Sequence, residues 1–433
     1  MFSFGLLSAF LLVGLILRCK VRLIEKVYLP ASVVGGILGL VVLQLIGKNN
    51  VALNNDITAG WSELPSILIN VVFAALFMGK KIPRFKLVWK SCSRQLGYGQ
   101  IVAWGQYAVG CVLVLFFLGP FLSLPDVYAG VMPVGFEGGH GTAAGMKPVF
   151  ESLGFPQIKD MALAAATFGI ISAIIMGMIL INWAKRKGLA QAYNEEVIRD
   201  KEVVGKITIS SEIIGTLSLQ IVFLGLAILF GWSCKKIFYQ ISLILPGNWS
   251  VLVNSFPMFP LCMLGGVFLQ CLCDKFGFSR FLCRGLMLQI QNLALDFLVI
   301  AAISTISLDI VADNFLALII LVVGGIIWNY LCLRVIAPRV FSDAWFERAI
   351  AELGQSMGVT ATGLLLLRTV DPDCKTDAAS AFASKQLLHE PFMGGGLWTG
   401  VAIPLLVLWG GWYVLGVVIA VISFWFIFLY KTR

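Results

Sequence analysis

The residues best placed to do chemistry lie in Val134–Met146, VGFEGGHGTAAGM, which combines five glycines with Glu137, His140 and Thr142 inside apolar sequence. No nucleophile–base pair and no metal-ligand spacing accompanies them, so the chemistry on offer is recognition of ions and polar solutes. Backbone N–H groups freed at Gly138, Gly139 and Gly141 suit anionic groups, and freed carbonyls suit sodium. A charged, glycine-rich kink at membrane depth is costly unless it is buried in protein or lines a watery cavity. Two readings are open for Glu137. It is a coupling site for an ion or proton, or it is the partner of a structural cation or a hairpin-mouth residue in water. His140 either hydrogen-bonds substrate or holds the hairpin as a satisfied imidazole.

A second group of candidates lies further on. Gln355, Ser356, Thr360 and Thr362 occupy QSMGVTATG, a second glycine-broken stretch, where they offer amide and hydroxyl contacts to a substrate or simple packing. Lys385 and His389 fall four apart in AFASKQLLHEPF, on one helical face. An intramembrane lysine could balance Glu137 or bind a substrate carboxylate. Asp296, with Asn292 one turn before it, and Asn70 supply the oxygen ligands that a hard cation such as Na⁺ prefers.

These residues need a membrane scaffold to position them. Hydrophobic residues make up 59% of the 433-residue chain and charged residues 13%, with mean hydropathy +0.91. A soluble domain carries about twice that charge, so the fold class is an all-α polytopic membrane protein. The net charge of +9 is spread over membrane-flanking loops, so it reports topology and not nucleic-acid binding. The ten cysteines sit mostly in apolar runs as small buried hydrophobes. Apolar sequence starts at Phe2 with no basic segment before it, which predicts an uncleaved first span.

Spans of about 20 residues are expected at Phe2–Leu17, Leu29–Gly47, Leu64–Gly79, Tyr98–Gly119 and Met161–Trp183. A second set comprises Ile213–Trp232, Val251–Leu272, Gly285–Leu308, Phe315–Ala337 and Ala378–Trp409, and Trp412–Tyr430 is extra. If the two glycine-broken stretches are re-entrant hairpins, 26 Lys/Arg fall on the inner side and five outside. If the first one crossed, the basic linker after Trp183 would lie outside, against the positive-inside rule. The expected organisation is therefore a first repeat over 1–183 with a hairpin at 127–150, then a cytoplasmic linker at 184–212. A second repeat follows over 213–409 with a hairpin at 344–367, and then an extra helix and tail over 410–433. The N-terminus is expected outside, the C-terminus inside, and the crossings number about 11.

The halves resemble one another. Pro30-Ala-Ser-Val-Val-Gly35-Gly36 matches Pro260-Leu-Cys-Met-Leu-Gly265-Gly266, Asn70 matches Asp296, Gly141–Gly145 matches Val359–Gly363, and Asp160–Ala166 matches Asp377–Ala383. An odd number of crossings per repeat makes the repeats inverted. Inverted repeats with interrupted segments at matching positions point to a secondary transporter with its site between them.

VGFEGGHGTAAGMKPVF, with DMALAAATFGIISAI and PASVVGGILG, resembles the bacterial sodium:glutamate symporter family, and QSMGVTATGLLLLRTVDP resembles a hairpin of its divergent members. The resemblance spans Leu29 to about Gly396. It implies glutamate uptake coupled to sodium without any cofactor, ten crossings, two oppositely entering hairpins, a homodimer with a moving transport domain, and residence in a bacterial inner membrane. Three features depart from it. Glu137 stands where the best-known members carry a small hydroxyl residue, Asp296 where they carry serine, and Trp412–Tyr430 is additional. The expected function is sodium-coupled symport of an acidic amino acid by alternating access. A cation:proton exchanger, or a sodium-coupled carrier of another small organic anion, is the alternative.

Overall fold

The computed structural model describes residues 2–21, 29–49, 51–80, 85–189, 216–245, 247–372 and 375–432. Most of the expected linker at 184–212 lies outside them. Among the described residues every regular element is helical, and ten helices are long and apolar enough to cross a membrane by length and composition.

In chain order the first helices are α1 (Phe2–Lys20), α2 (Ala31–Asn49), α3 (Val51–Ala75) and α4 (Phe85–Leu113). The first broken stretch follows as α5 (Val131–Phe136), α6 (Gly139–Gly145) and α7 (Lys147–Ser152), and then comes α8 (Gln157–Arg186). The second half begins with α9 (Thr216–Ser242), α10 (Trp249–Ser255), α11 (Phe259–Phe276), α12 (Arg284–Ser304), α13 (Leu308–Asp313) and α14 (Phe315–Leu331). It ends with α15 (Trp345–Val370), α16 (Ala378–His389), α17 (Leu397–Leu408) and α18 (Gly411–Lys431).

Two expected spans are not continuous. Val251–Leu272 is interrupted between α10 and α11, where Pro257 and Pro260 stop helix propagation. Ala378–Trp409 is divided into α16 and α17 by Glu390–Gly396, in which Gly394 (φ +65°) and Gly395 (φ +108°) take backbone angles that L-residues avoid.

The helices form two groups. In the first, α1 packs on α2 and α9 on α11, α2 packs on α12 and α11 on α3, and α3 and α12 pack on each other. Exchanging the halves leaves this pattern unchanged. The matched glycines are the means of contact. A Cβ on Gly35 would fall 2.5 Å from Phe10 O on α1, and one on Gly265 would fall 2.3 Å from Ala227 O on α9. Gly36 and Gly266 face α12 and α3 in the same way, with a Cβ 2.7 Å from Ile303 Cβ and 2.3 Å from Ala74 O. Small residues let backbones approach this closely in a membrane bundle. Gly265→Val is therefore expected to cost about 1–3 kcal/mol, read as a lower melting temperature in detergent.

The second group is built on α4 and α14, with α8, α15, α16 and α18 around them. Each of the two central helices loosens into a π-turn, at Val114–Leu118 and Cys332–Ile336, before its last short segment. The cause is shared. Pro120 and Pro338 follow at the start of those segments, and a proline that cannot donate to the preceding turn is accommodated by widening it.

Both glycine-broken stretches turn back on themselves. Asp126 accepts from Gly411 N at 2.6 Å, next to the end of α4, and Lys147 pairs with Glu63 of α3 at 2.6 Å. The chain between them enters the second group and returns to the end where α3 begins. In α15 the turn is at Gly358 (φ −149°, ψ 28°) and Val359 (φ 64°, ψ 172°). The limbs then run side by side, since a Cβ on Gly354 would fall 2.7 Å from Gly363 Cα. The 26 residues of α15 are thus two antiparallel limbs.

Candidate functional site

The two turns meet. A Cβ on Gly139, itself at φ +66°, would stand 2.5 Å from Val359 Cγ1. At the same junction Gln355 Nε2 donates to Glu137 Oε1 at 3.1 Å. Glu137 and Gln355 occupy corresponding positions in the two halves, in the register that matches Gly141–Gly145 to Val359–Gly363. The break between α16 and α17 closes the junction from a third side, where Thr142 Oγ1 donates to Gly394 O at 3.2 Å. Gly139→Ala places a Cβ into Val359 at a positive φ. It should destabilise the chain by about 1–3 kcal/mol and lower uptake, whereas Val359→Gly, which relieves a β-branched residue of φ 64°, should not lower the melting temperature.

Behind the junction runs a chain of buried polar groups. Lys385 Nζ donates to Glu352 Oε1 at 2.7 Å and to Gln355 Oε1 at 2.8 Å. Glu137 Oε1 also meets His389 Nε2 at 2.7 Å, His389 Nδ1 meets Gln100 Nε2 at 3.1 Å, and Gln100 Oε1 accepts from Trp104 Nε1 at 2.7 Å. Gln95 Nε2 donates to Glu352 Oε2 at 3.1 Å. Lys385, His389 and Glu352 are all wholly buried. Side chains from α4, the first turn, α15 and α16 thus converge in the buried interior, and such groups persist only when nearly every donor and acceptor is matched. Two are not. Gln95 Oε1 has no hydrogen-bond partner, and neither has Oε2 of Glu137, which is 6% exposed.

In front of the junction lies a cavity of about 560 Å³ between the two groups of helices. Glu137, Gly138, His140, Gly141, Thr142, Gln355 and Thr360 line one wall, while Ser32, Asn292 and Asp296 line the other. The cavity reaches the ends of the bundle where α2 and α12 begin and α3 stops, through Pro30, Leu76 and Leu288. There Arg284 donates to Ala75, Leu76 and Met78 carbonyls at 3.1 Å each and ties the end of α3, where helix-end carbonyls attract a cation. A volume of this size accommodates an amino acid with ions or water.

Other candidate side chains are engaged by the protein itself. Lys385 is paired with Glu352 rather than with Glu137, and it stands behind the junction. Ser356 donates to Asn329 Oδ1 of α14, Thr362 Oγ1 ties the second turn to Gly358 O at 2.5 Å, and Asn70 donates to Ser66 O at 2.8 Å in its own helix. His140 Nε2 is 2.9 Å from Thr167 Oγ1, whose own proton goes to Leu163 O at 3.2 Å, so the imidazole donates and pins the first turn to α8. Glu390 accepts from Thr360 and Gln386 at 3.1 and 3.3 Å and does not meet its neighbour His389. Glu352, Gln95, Gln100 and Trp104 were not singled out by the sequence, although polar residues recurring in an apolar span such as α4 are themselves a signal.

A paired-turn junction facing a solute-sized cavity, with an unmatched carboxylate oxygen, is the arrangement of a carrier. The family model of the sodium/glutamate symporters matches residues 2–370. The chain belongs to the sodium/glutamate symporter family. No curated protein matches it. As a member it is a multi-pass membrane transporter of the sodium-coupled glutamate type, and not an enzyme. The matched region contains both turns, the cavity-lining acid Glu137 and the α12 wall, while the Lys385–His389 helix and α18 lie beyond residue 370.

Proposed function

We propose that the protein carries glutamate, or a closely similar acidic amino acid, together with sodium by alternating access between two inverted repeats. The observation that carries the reading is the unpartnered Glu137 Oε2 at the meeting point of the two turns, on the wall of the cavity. Sodium, a hard cation, takes its place against this carboxylate and nearby backbone carbonyls. The substrate's carboxylates meet freed N–H groups of Gly138, Gly139 and Gly141, and the hydroxyls of Thr142 and Thr360 turn to them from Gly394 O and Glu390 when the substrate arrives. Asp296 and Asn292 supply oxygen ligands from the opposite wall. The second group of helices then moves against the first, because an empty site holding an uncompensated charge crosses an apolar barrier poorly.

The inverted-repeat reading is supported by the exchangeable packing of α1–α3 with α9, α11 and α12, by the matched glycine contacts, and by the two proline-linked π-turns. Placement in a bacterial plasma membrane with the N-terminus outside rests on the distribution of Lys and Arg, and the homodimer rests on the family resemblance. The test is uptake of labelled glutamate and aspartate into proteoliposomes with and without an inward sodium gradient. Saturable, sodium-driven accumulation is expected, and no accumulation of any acidic amino acid sinks the proposal. A second reading, cation:proton exchange, is favoured by Glu137, Asp296 and Glu390 all lining one cavity. Sodium-driven proton movement in the absence of substrate would establish it.

A further inference from the structure

A carrier for an acidic amino acid has to meet two carboxylates and one ammonium, and the groups assigned so far answer only the carboxylates. Among the described residues, the acids on the cavity wall are Glu137, Asp296 and Glu390. Glu137 is assigned to sodium. Asp296 stands on α12, in the first group of helices. The substrate travels with the second group, which carries both turns, so a contact with Asp296 breaks on the way. Glu390 travels with the substrate. It opens the break between α16 and α17, and that break touches both turns. A Cβ on Gly394 would fall 3.2 Å from Glu137 O, while Glu390 Oε1 accepts from Thr360 Oγ1 of the second turn at 3.1 Å. Glu390 also lies outside the region that the family model matches.

The cations that act on Glu390 are Lys80, Lys385 and Arg284. Each has another engagement. Lys385 pairs with Glu352, Arg284 holds the carbonyls at the end of α3, and Lys80 stands over the Phe77 ring at 5.2 Å. Lys80 and Arg284 belong to the first group, the one following α3 and the other opening α12. Movement of the second group therefore carries Glu390 away from both. A carboxylate taken from its cations across an apolar barrier needs a cation that moves with it. We propose that this cation is the substrate's ammonium, and that Glu390 is the specificity-determining residue that selects an α-amino dicarboxylate over a plain dicarboxylate of the same length. The inference rests on the reading of the protein as a carrier of acidic amino acids. Thr360 couples the two contacts. As its hydroxyl turns from Glu390 to a substrate carboxylate, Glu390 Oε1 is freed to accept from the ammonium while keeping Gln386 Nε2, now at 3.3 Å. A ligand without the ammonium leaves that acceptor unmatched, which is how a polar site rejects an analogue lacking one group.

Glutarate is glutamate without the ammonium, so the two ligands isolate the contact. For the purified full chain in detergent with sodium, the rise in melting temperature with ligand concentration gives an apparent Kd for each. The parent is expected to bind glutamate about 10–150-fold more tightly than glutarate, the size of one charge-assisted contact. Glu390→Gln should bring the two within a few-fold of each other by weakening glutamate alone. Its amide oxygen still accepts from Thr360 and Gln386, so the unliganded melting temperature should hold. A second measurement needs no variant. In proteoliposomes of the parent under an inward sodium gradient, labelled glutarate should not accumulate, because Glu390 would have to cross unpaired. The inference is overturned by a parent without preference, by an unchanged ratio in Glu390→Gln, or by equal weakening of both ligands there. Glutarate accumulation at the rate of glutamate overturns it too, as does a preference that Glu137→Gln abolishes and Glu390→Gln spares. If the parent shows the preference in binding but no sodium-driven uptake of glutamate, the transport reading fails while the assignment of Glu390 stands. If glutamate accumulates and the preference survives Glu390→Gln, the assignment fails and the transport reading stands.

Discussion

Lys385→Met should be the most destabilising single change in the buried network, lowering stability by about 3–5 kcal/mol, the cost of leaving one member of a buried ion pair without the other. Both partners are enclosed, with side-chain exposures of 0% and 1% and a separation of 2.7 Å. Among the described residues no other cation is ion-paired with Glu352. The backbone of α4 lies against the pair at Gly99, where a Cβ would fall 2.5 Å from Glu352 Oε1 and 2.7 Å from Lys385 Cε. The double variant Lys385→Met/Glu352→Met removes both charges at similar volume and should recover most of the loss, since a buried pair exchanged for apolar residues is often neutral. Thermal unfolding in detergent measures both. The double variant also settles what the lysine does. With the pair acting structurally, the double variant binds glutamate with an apparent affinity within a few-fold of the parent. A loss of tenfold or more would place Lys385 in contact with substrate.

What could be read in advance follows from how each feature is encoded. The first turn is legible because Glu137 and the glycines are conspicuous in apolar sequence, and charge counting distinguishes a turn from a crossing without reference to packing. The matched glycine pairs Gly35-Gly36 and Gly265-Gly266 are legible because helix contact at a small residue is a local property of sequence. The break between α16 and α17 is harder to see. Pro391 and Gly394–Gly396 announce it, yet the surrounding apolar run is as long as a span, and hydropathy averages over a gap of a few residues. The partner of Lys385 could not be read at all. Glu352 sits in AIAELGQS, an ordinary helical sequence whose acid would be solvent-facing in a soluble protein, and only the folding back of α15 at Gly358–Val359 brings it to α16. The glutamines of α4 share that difficulty. Their role depends on which donor faces which acceptor, and this is fixed by side chains from three other elements. Ser356 and Thr362 illustrate the converse, since residue type and position recommended them for substrate contact while their hydroxyls close on Asn329 and on the turn itself.

Glu137→Gln should leave the fold intact and weaken the use of sodium. The amide oxygen can still accept from His389 Nε2 and Gln355 Nε2, the groups that now bond Glu137 Oε1 at 2.7 and 3.1 Å, and the amide nitrogen takes the place of the unpartnered Oε2 without a change of volume. What is lost is one negative charge on the cavity wall. A charge-assisted contact is worth about 1.5–3 kcal/mol, so the sodium concentration for half-maximal uptake should rise by about 10–150-fold. The melting temperature should stay within a few degrees of the parent. The corresponding change on the other turn, Gln355→Glu, works in the opposite direction. It sets a second carboxylate against Glu137 at hydrogen-bond distance in a dry junction, where two like charges cannot both persist and one must hold a proton. Uptake by that variant should fall as pH rises, because loss of the shared proton drives the two turns apart. An unchanged sodium requirement in Glu137→Gln would reduce the residue to an anchor for His389. Paired results, a raised sodium requirement in one variant and alkaline inhibition gained in the other, would mean that the same two-fold-related position serves as carboxylate in one half and as neutral donor in the other. On that outcome, the difference in one functional group would be what lets the paired turns bind an ion.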